Sequence, residues 1–193
     1  MLVTGLLSIV GDVPFAADDG IRGGRSAAAG LIPVGSRDGE EVPTSLAITS
    51  ETGPVHPVGV DGDVDYGEAD AMFGASRYGH SHEGQDMFAK PGTPLLATRD
   101  GVVIKKGNDG GRGNYVAIYS EPEDQTYVYL HMLRPTGLSP GVEVPASAQV
   151  GAMGCTGSCY GTHLHFEVRL GKGIEREPID PLPLLKRWPQ VPE

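Results

Sequence analysis

The chain has 193 residues, enough for one domain with further segments at its ends. Apolar residues make up 39% and charged ones 21%, which suffices for a packed core, while 29 glycines and 16 prolines favour short strands joined by turns over long helices. A formal net charge of −10 with no basic cluster argues against a nucleic-acid binder, and no apolar run approaches the roughly 18 residues of a membrane-spanning helix.

In chain order, Met1–Val10 holds an apolar stretch as long as a signal-peptide core but lacks the basic start, and Pro14-Phe15-Ala16-Ala17 is a poor cleavage site. It reads equally as a weak or truncated export signal or as a short strand or tail. Residues 1–55 are rich in Gly, Ala, Ser and Asp, with little periodicity, and are expected to form a flexible N-terminal segment, whether linker or pro-segment. Order is expected to begin near Pro54. From about residue 72 strand signals recur. Pro94–Thr98 and Val102–Lys105 flank Asp100-Gly101, which predicts a hairpin. Asn114–Tyr119, Gln125–His131, Val150–Gly154 and Gly161–Val168 predict further strands, and Leu182–Lys186 a single helical turn. The expected fold is all-β over residues 56–184, a compact antiparallel sheet or barrel-like sandwich, with 185–193 as a C-terminal tail.

Alternation along a strand gives these segments chemical content. In Gly161–Val168, His163, His165 and Glu167 share one face, and Leu164, Phe166 and Val168 share the other. In Tyr127–His131, the two tyrosines and His131 are expected on one polar face, opposite Val128 and Leu130. His82 and Asp86 are both competent zinc ligands, but four residues of straight strand would hold them about 13 Å apart. The segment must therefore bend, which Gly84 permits. A zincin-type helix through His82-Glu83 and Asp86 is set aside, because Gly84 disfavours a helix and the second histidine is missing. Cys155 and Cys159 fit either a structural Cys/His zinc site with His163 and His165 or a short disulfide; the disulfide is preferred, since familiar zinc patterns use other spacings. His82, Asp86, His131, His163 and His165 together exceed what one zinc requires, which leaves imidazoles for acid–base work.

Six segments in this order, His82-Glu83-Gly84-Gln85-Asp86, Lys90–Ala97, Gly113–Val116, Tyr129-Leu130-His131, Gly151–Gly154 and Gly161–Glu167, resemble the lysostaphin/LytM-type zinc endopeptidases of cell-wall peptidoglycan. The resemblance spans about residues 56–184 and rests on the family's H-x3-D, Y-x-H and H-x-H signatures. It implies the duplicated hybrid motif fold with a groove over a zinc. It also implies that His82, Asp86 and His165 hold one Zn2+ and that His131 and His163 are the catalytic histidines. The implied substrate is a stem or cross-bridge peptide of peptidoglycan, in an extracellular or cell-envelope setting. A non-catalytic member of the family, binding wall peptides or activating another hydrolase, is the alternative. Two features depart from the pattern. Latent members place an asparagine of a pro-segment on the zinc, whereas the asparagines here are Asn108 and Asn114, inside the domain. Cys155 and Cys159 stand where the family has a cysteine-free loop. Glu167, on the histidine face, is read either as a partner supporting a site histidine or as a plain surface carboxylate, the latter preferred, and His80 as a groove or surface residue.

Overall fold

The strand signals do become strands. The computed structural model describes residues 53–77 and 79–191; the expectations for residues 1–52 lie outside the described residues. A 3-10 turn at Ala69–Ala71 leads into β1 (Ser76–Arg77), β2 (His80–Ser81), β3 (Gln85–Phe88), β4 (Pro94–Leu96) and β5 (Gly101–Asp109). There follow β6 (Gly113–Ser120), β7 (Gln125–Met132), β8 (Glu143–Val144), β9 (Gln149–Ala152), β10 (His163–Leu170), β11 (Pro178–Ile179) and α1 (Leu182–Leu185). The all-β antiparallel reading holds, as does the single helical turn near residue 182.

One sheet runs in the order β11-β10-β7-β6-β5-β8, every pairing antiparallel. Strand β10 lies at its heart. β7 pairs along one edge from His165 to Leu170, and β3 and β11 share the other edge in succession. Leu164, Phe166 and Val168, the apolar set of β10, are fully buried with Tyr127, Tyr129 and Met87 in the main core. Phe166 lies parallel to the Tyr127 ring at 6.2 Å, and its burial contributes about 3 kcal/mol.

Three expectations change. Asp100-Gly101 does not close a hairpin, because β4 leaves to pair with β9 while β5 pairs with β6 and β8. The Asp100 carboxylate instead accepts the backbone N–H of Ala146 at 2.6 Å. Tyr127 and Tyr129 face the main core rather than a polar side; the Tyr129 hydroxyl is satisfied there by the backbone N–H and the hydroxyl of Thr98. Finally, the packed body continues past residue 184. Leu185 and Trp188 are buried in the same core, Trp188 sits edge-on to Tyr127, and the Pro189 carbonyl accepts the N–H of His56 at 2.8 Å.

Candidate active site

On the face of β10 opposite the core, His163, His165, Glu167 and Arg169 follow one another at alternate positions, all buried. The register sets Asp86 of β3 directly across from His165. His82 precedes β3 and reaches the same point because the chain bends at Gly84. A Cβ on Gly84 would stand 2.5 Å from the Phe166 carbonyl and 2.8 Å from His165 Nε2, so the bend needs glycine for its close approach to β10.

His131 arrives by another route. Strict alternation would place it with Tyr129, in the core. The β6–β7 register slips between Asn114 and Val116, and His131 takes a φ of 59°. That bulge turns its imidazole to the β10 histidine face, with the ring centroid 4.8 Å from that of His163.

The four histidines are oriented by their second nitrogens. A carbonyl or carboxylate oxygen can only accept, so the nitrogen facing it carries the proton. His82 Nδ1 donates to the Met72 carbonyl at 2.8 Å and His165 Nε2 to Glu167 at 3.2 Å. His131 Nδ1 donates to the Thr156 carbonyl at 2.8 Å and His163 Nδ1 to that of Gly161 at 2.7 Å. The remaining nitrogens of His82 and His165 face each other at 2.8 Å, with Asp86 Oδ1 at 3.1 and 2.9 Å. Three lone-pair atoms thus converge on one point, an arrangement that demands a positive charge between them. Among the described residues these form the one group of His, Cys, Asp or Glu side chains that could share an ion, their ligand atoms within 4.8 Å of one another. Two imidazoles and a carboxylate are a donor set that suits zinc.

The titration of these groups agrees. Burial pushes His165 down, yet hydrogen bonds to Asp86 and Glu167 outweigh it and lift the ring to about 9. Burial would raise Asp86, but hydrogen bonds from His165 and His82 hold it well below the usual carboxylate range. Burial lowers His131 to about 4 against the bond to Thr156, and lowers His163 against the bond to Gly161. The cluster therefore attracts a cation at its centre while the two histidines beside it stay neutral.

The supporting groups were underrated or missed in the sequence. Glu167 is not a surface carboxylate: it is buried, bonds His165, and accepts from Arg169 Nε at 2.6 Å. Arg169 continues to Glu83 at 2.6 Å and to the Arg176 carbonyl at 2.8 Å. The alternation that exposed the H-x-H pair also reaches Arg169, so that signal was present. Arg77, which donates to Asp86 Oδ2 at 3.0 Å, comes from a hairpin with no sequence signature. A groove of about 730 Å³ runs over the cluster, lined also by exposed His80 and Tyr160. His56 is buried elsewhere, beside Tyr66. Cys155 and Cys159 lie at disulfide distance from each other, with Cα atoms 5.3 Å apart, and do not join the metal-competent group.

Residues 80–181, which hold His82, Asp86, His131, His163 and His165, match Peptidase family M23. The chain belongs to that family. Over 100 residues this M23 chain is 39% identical to the peptidoglycan DD-endopeptidase ShyC of Vibrio cholerae, a stretch covering 51% of this chain and 22% of that protein. It is 32% identical over 110 residues to the glycyl-glycine endopeptidase ALE-1 of Staphylococcus capitis, covering 56% of this chain and 30% of the relative. Among solved structures, the catalytic domain of the antimicrobial peptidase lysostaphin from Staphylococcus simulans shares the fold with a TM-score of 0.54 and 28% identity, over 60% of this chain and 89% of that domain. The chain thus spans less than a third of the length of either of these two curated relatives.

Proposed function

We propose that the protein is a zinc-dependent endopeptidase that hydrolyses peptide cross-links of bacterial peptidoglycan, acting outside the cell membrane or within the envelope. The observation that carries this is the convergence of His82 Nε2, Asp86 Oδ1 and His165 Nδ1 beside two neutral histidines on the floor of an open groove. The names of the relatives, one a DD-endopeptidase and one a glycyl-glycine endopeptidase, support a wall cross-link as the target class. Cys155 and Cys159, read as a formed disulfide, suit an oxidising compartment.

His82, Asp86 and His165 would hold the zinc, and Met72 and Glu167 would fix the two ligand imidazoles in the required tautomers. When bound, zinc supplies Lewis-acid chemistry, polarising a carbonyl and acidifying water. The histidines do the proton work. With Nδ1 tied to a carbonyl, His131 and His163 each keep Nε2 unprotonated; both rings line the groove, and His163 Nε2 lies 3.7 Å from Asp86 Oδ1. Either can accept the proton of the attacking water, and the imidazolium so formed donates it to the leaving amine. Until it passes that proton on, the imidazolium is the donor placed to stabilise the oxyanion.

The test is digestion of peptidoglycan of both cross-link types, with and without chelator, followed by mass analysis of the fragments. Cleavage of one type, abolished by chelator and restored by zinc, is expected. No cleavage of either, or cleavage indifferent to chelator, would sink the reading.

A further inference from the structure

The two cysteines bracket the loop immediately ahead of β10, and two carbonyls of this segment hold the acid–base histidines. Thr156, inside the bracket, accepts the His131 Nδ1 proton at 2.8 Å, and Gly161, two residues beyond Cys159, accepts that of His163 at 2.7 Å. Cys159 Sγ itself lies 3.7 Å from His163 Nδ1.

The two limbs of the loop are held differently. The first is seated on the turn between β5 and β6. Asn114 N–H donates to the Thr156 hydroxyl at 2.8 Å, that hydroxyl donates to the Met132 carbonyl at 2.9 Å, and Ser158 N–H donates to the Gly111 carbonyl at 3.0 Å. A Cβ on Gly113 would collide with the Thr156 carbonyl, so turn and loop touch backbone to backbone. The second limb, Cys159–Gly161, carries Tyr160, which is 99% exposed. Gly157 belongs to the seated limb, with its backbone against Gly111 and Gly113, whereas nothing lies within 4 Å of a Cβ placed on Gly161, at the end of the second limb. A covalent tie from Cys159 back to Cys155 joins the loose limb to the seated one.

We propose that the Cys155–Cys159 bridge is a positioning device for both acid–base histidines. It fixes the carbonyls of Thr156 and Gly161 in one frame. Those carbonyls select the Nδ1–H tautomer of His131 and His163 and aim each Nε2 into the groove. The proposal rests on the roles given to the two histidines above and on the bridge being formed. It concerns tautomer and aim rather than metal retention, because no ligand of the candidate zinc site bonds to this loop.

The experiment uses the full zinc-loaded chain, oxidised and after treatment with tris(2-carboxyethyl)phosphine. The phosphine delivers two electrons to the bridge and becomes its oxide with oxygen from water, leaving two thiols. Long-range proton–nitrogen correlation of the imidazoles reads the tautomers directly, and a cross-linked muropeptide dimer reads kcat and KM. In the oxidised protein both rings are expected as Nδ1–H tautomers. After reduction, the ring signals become tautomer mixtures and kcat falls about 10- to 100-fold. KM stays within about twofold, and zinc remains at one per chain. Reoxidation with oxidised glutathione restores kcat, and the Cys155→Ser/Cys159→Ser variant behaves as the reduced protein.

An Nε2–H tautomer for either ring in the oxidised protein overturns the proposal, whatever the variants do. So does unchanged kcat with two titratable thiols, or loss of zinc together with the bridge. An oxidised, zinc-loaded protein that cleaves no cross-link refutes the hydrolase reading instead, and the ring tautomers still decide the role of the bridge.

Discussion

Glu167→Gln isolates what the carboxylate behind His165 does. In the native protein Oε1 accepts from His165 Nε2 at 3.2 Å and Oε2 accepts from Arg169 Nε at 2.6 Å. Glutamine keeps the shape but has one acceptor oxygen and one donor amide. Arg169 is buried and can only donate, so the glutamine oxygen must turn to it. The amide then points at His165 Nε2 and forces that nitrogen to accept. The proton moves to Nδ1, the atom that faces Asp86 and His82, and the ring is in the wrong tautomer to hold a metal. Loss of such a support lowers metal affinity by about 10- to 100-fold, or about 1.4 to 2.7 kcal/mol. Competition for zinc with a chromogenic chelator at fixed pH measures it. An affinity within about threefold of wild type would refute the tautomer argument.

Stability of the metal-free protein should depend on pH through His165. Its folded value of about 9 lies above the ordinary 6.5, so the folded state keeps a proton that the unfolded chain releases between them. The stabilisation is complete below pH 6.5 and lost as pH rises through 9, about 3 kcal/mol in all. Urea unfolding of chelator-treated protein across that range checks this, and a flat or rising profile would contradict it. Gly84→Ala places a methyl against the Phe166 carbonyl and His165 Nε2. It should cost about 1 to 3 kcal/mol of stability and weaken zinc binding; a variant unchanged in both would show that the close approach is dispensable.

The parts of this site that were legible in the sequence are those set by a single strand. Alternation alone put His163, His165 and Glu167 opposite Leu164, Phe166 and Val168, and the fold keeps that division. The bend at Gly84 also followed from distance, since His82 and Asp86 cannot share an ion along a straight strand. What depended on pairing was hidden. His131 sits on the histidine face because of a register slip against β6, and the alternation that worked for β10 misplaced Tyr127 and Tyr129. The Asp100-Gly101 turn signal was overridden because β4 finds its partner, β9, some fifty residues later and Asp100 bonds Ala146. Arg77 reaches Asp86 from a two-residue strand, too short to carry a periodic signal. Glu167 was underestimated for a different reason: a carboxylate on a histidine face looks solvated until the network through Arg169 to Glu83 encloses it.

The histidines are expected to divide the labour between metal and proton, and zinc content tests that division most directly. Zinc per chain, measured by inductively coupled plasma mass spectrometry on folded Asp86→Ala, His165→Ala, His131→Ala and His163→Ala proteins, should separate them into two pairs. The first two should lose the metal. The last two should hold about one zinc per chain, as wild type does, while losing peptide hydrolysis. Full zinc in Asp86→Ala or His165→Ala, or zinc lost from His131→Ala or His163→Ala, would contradict the assignment.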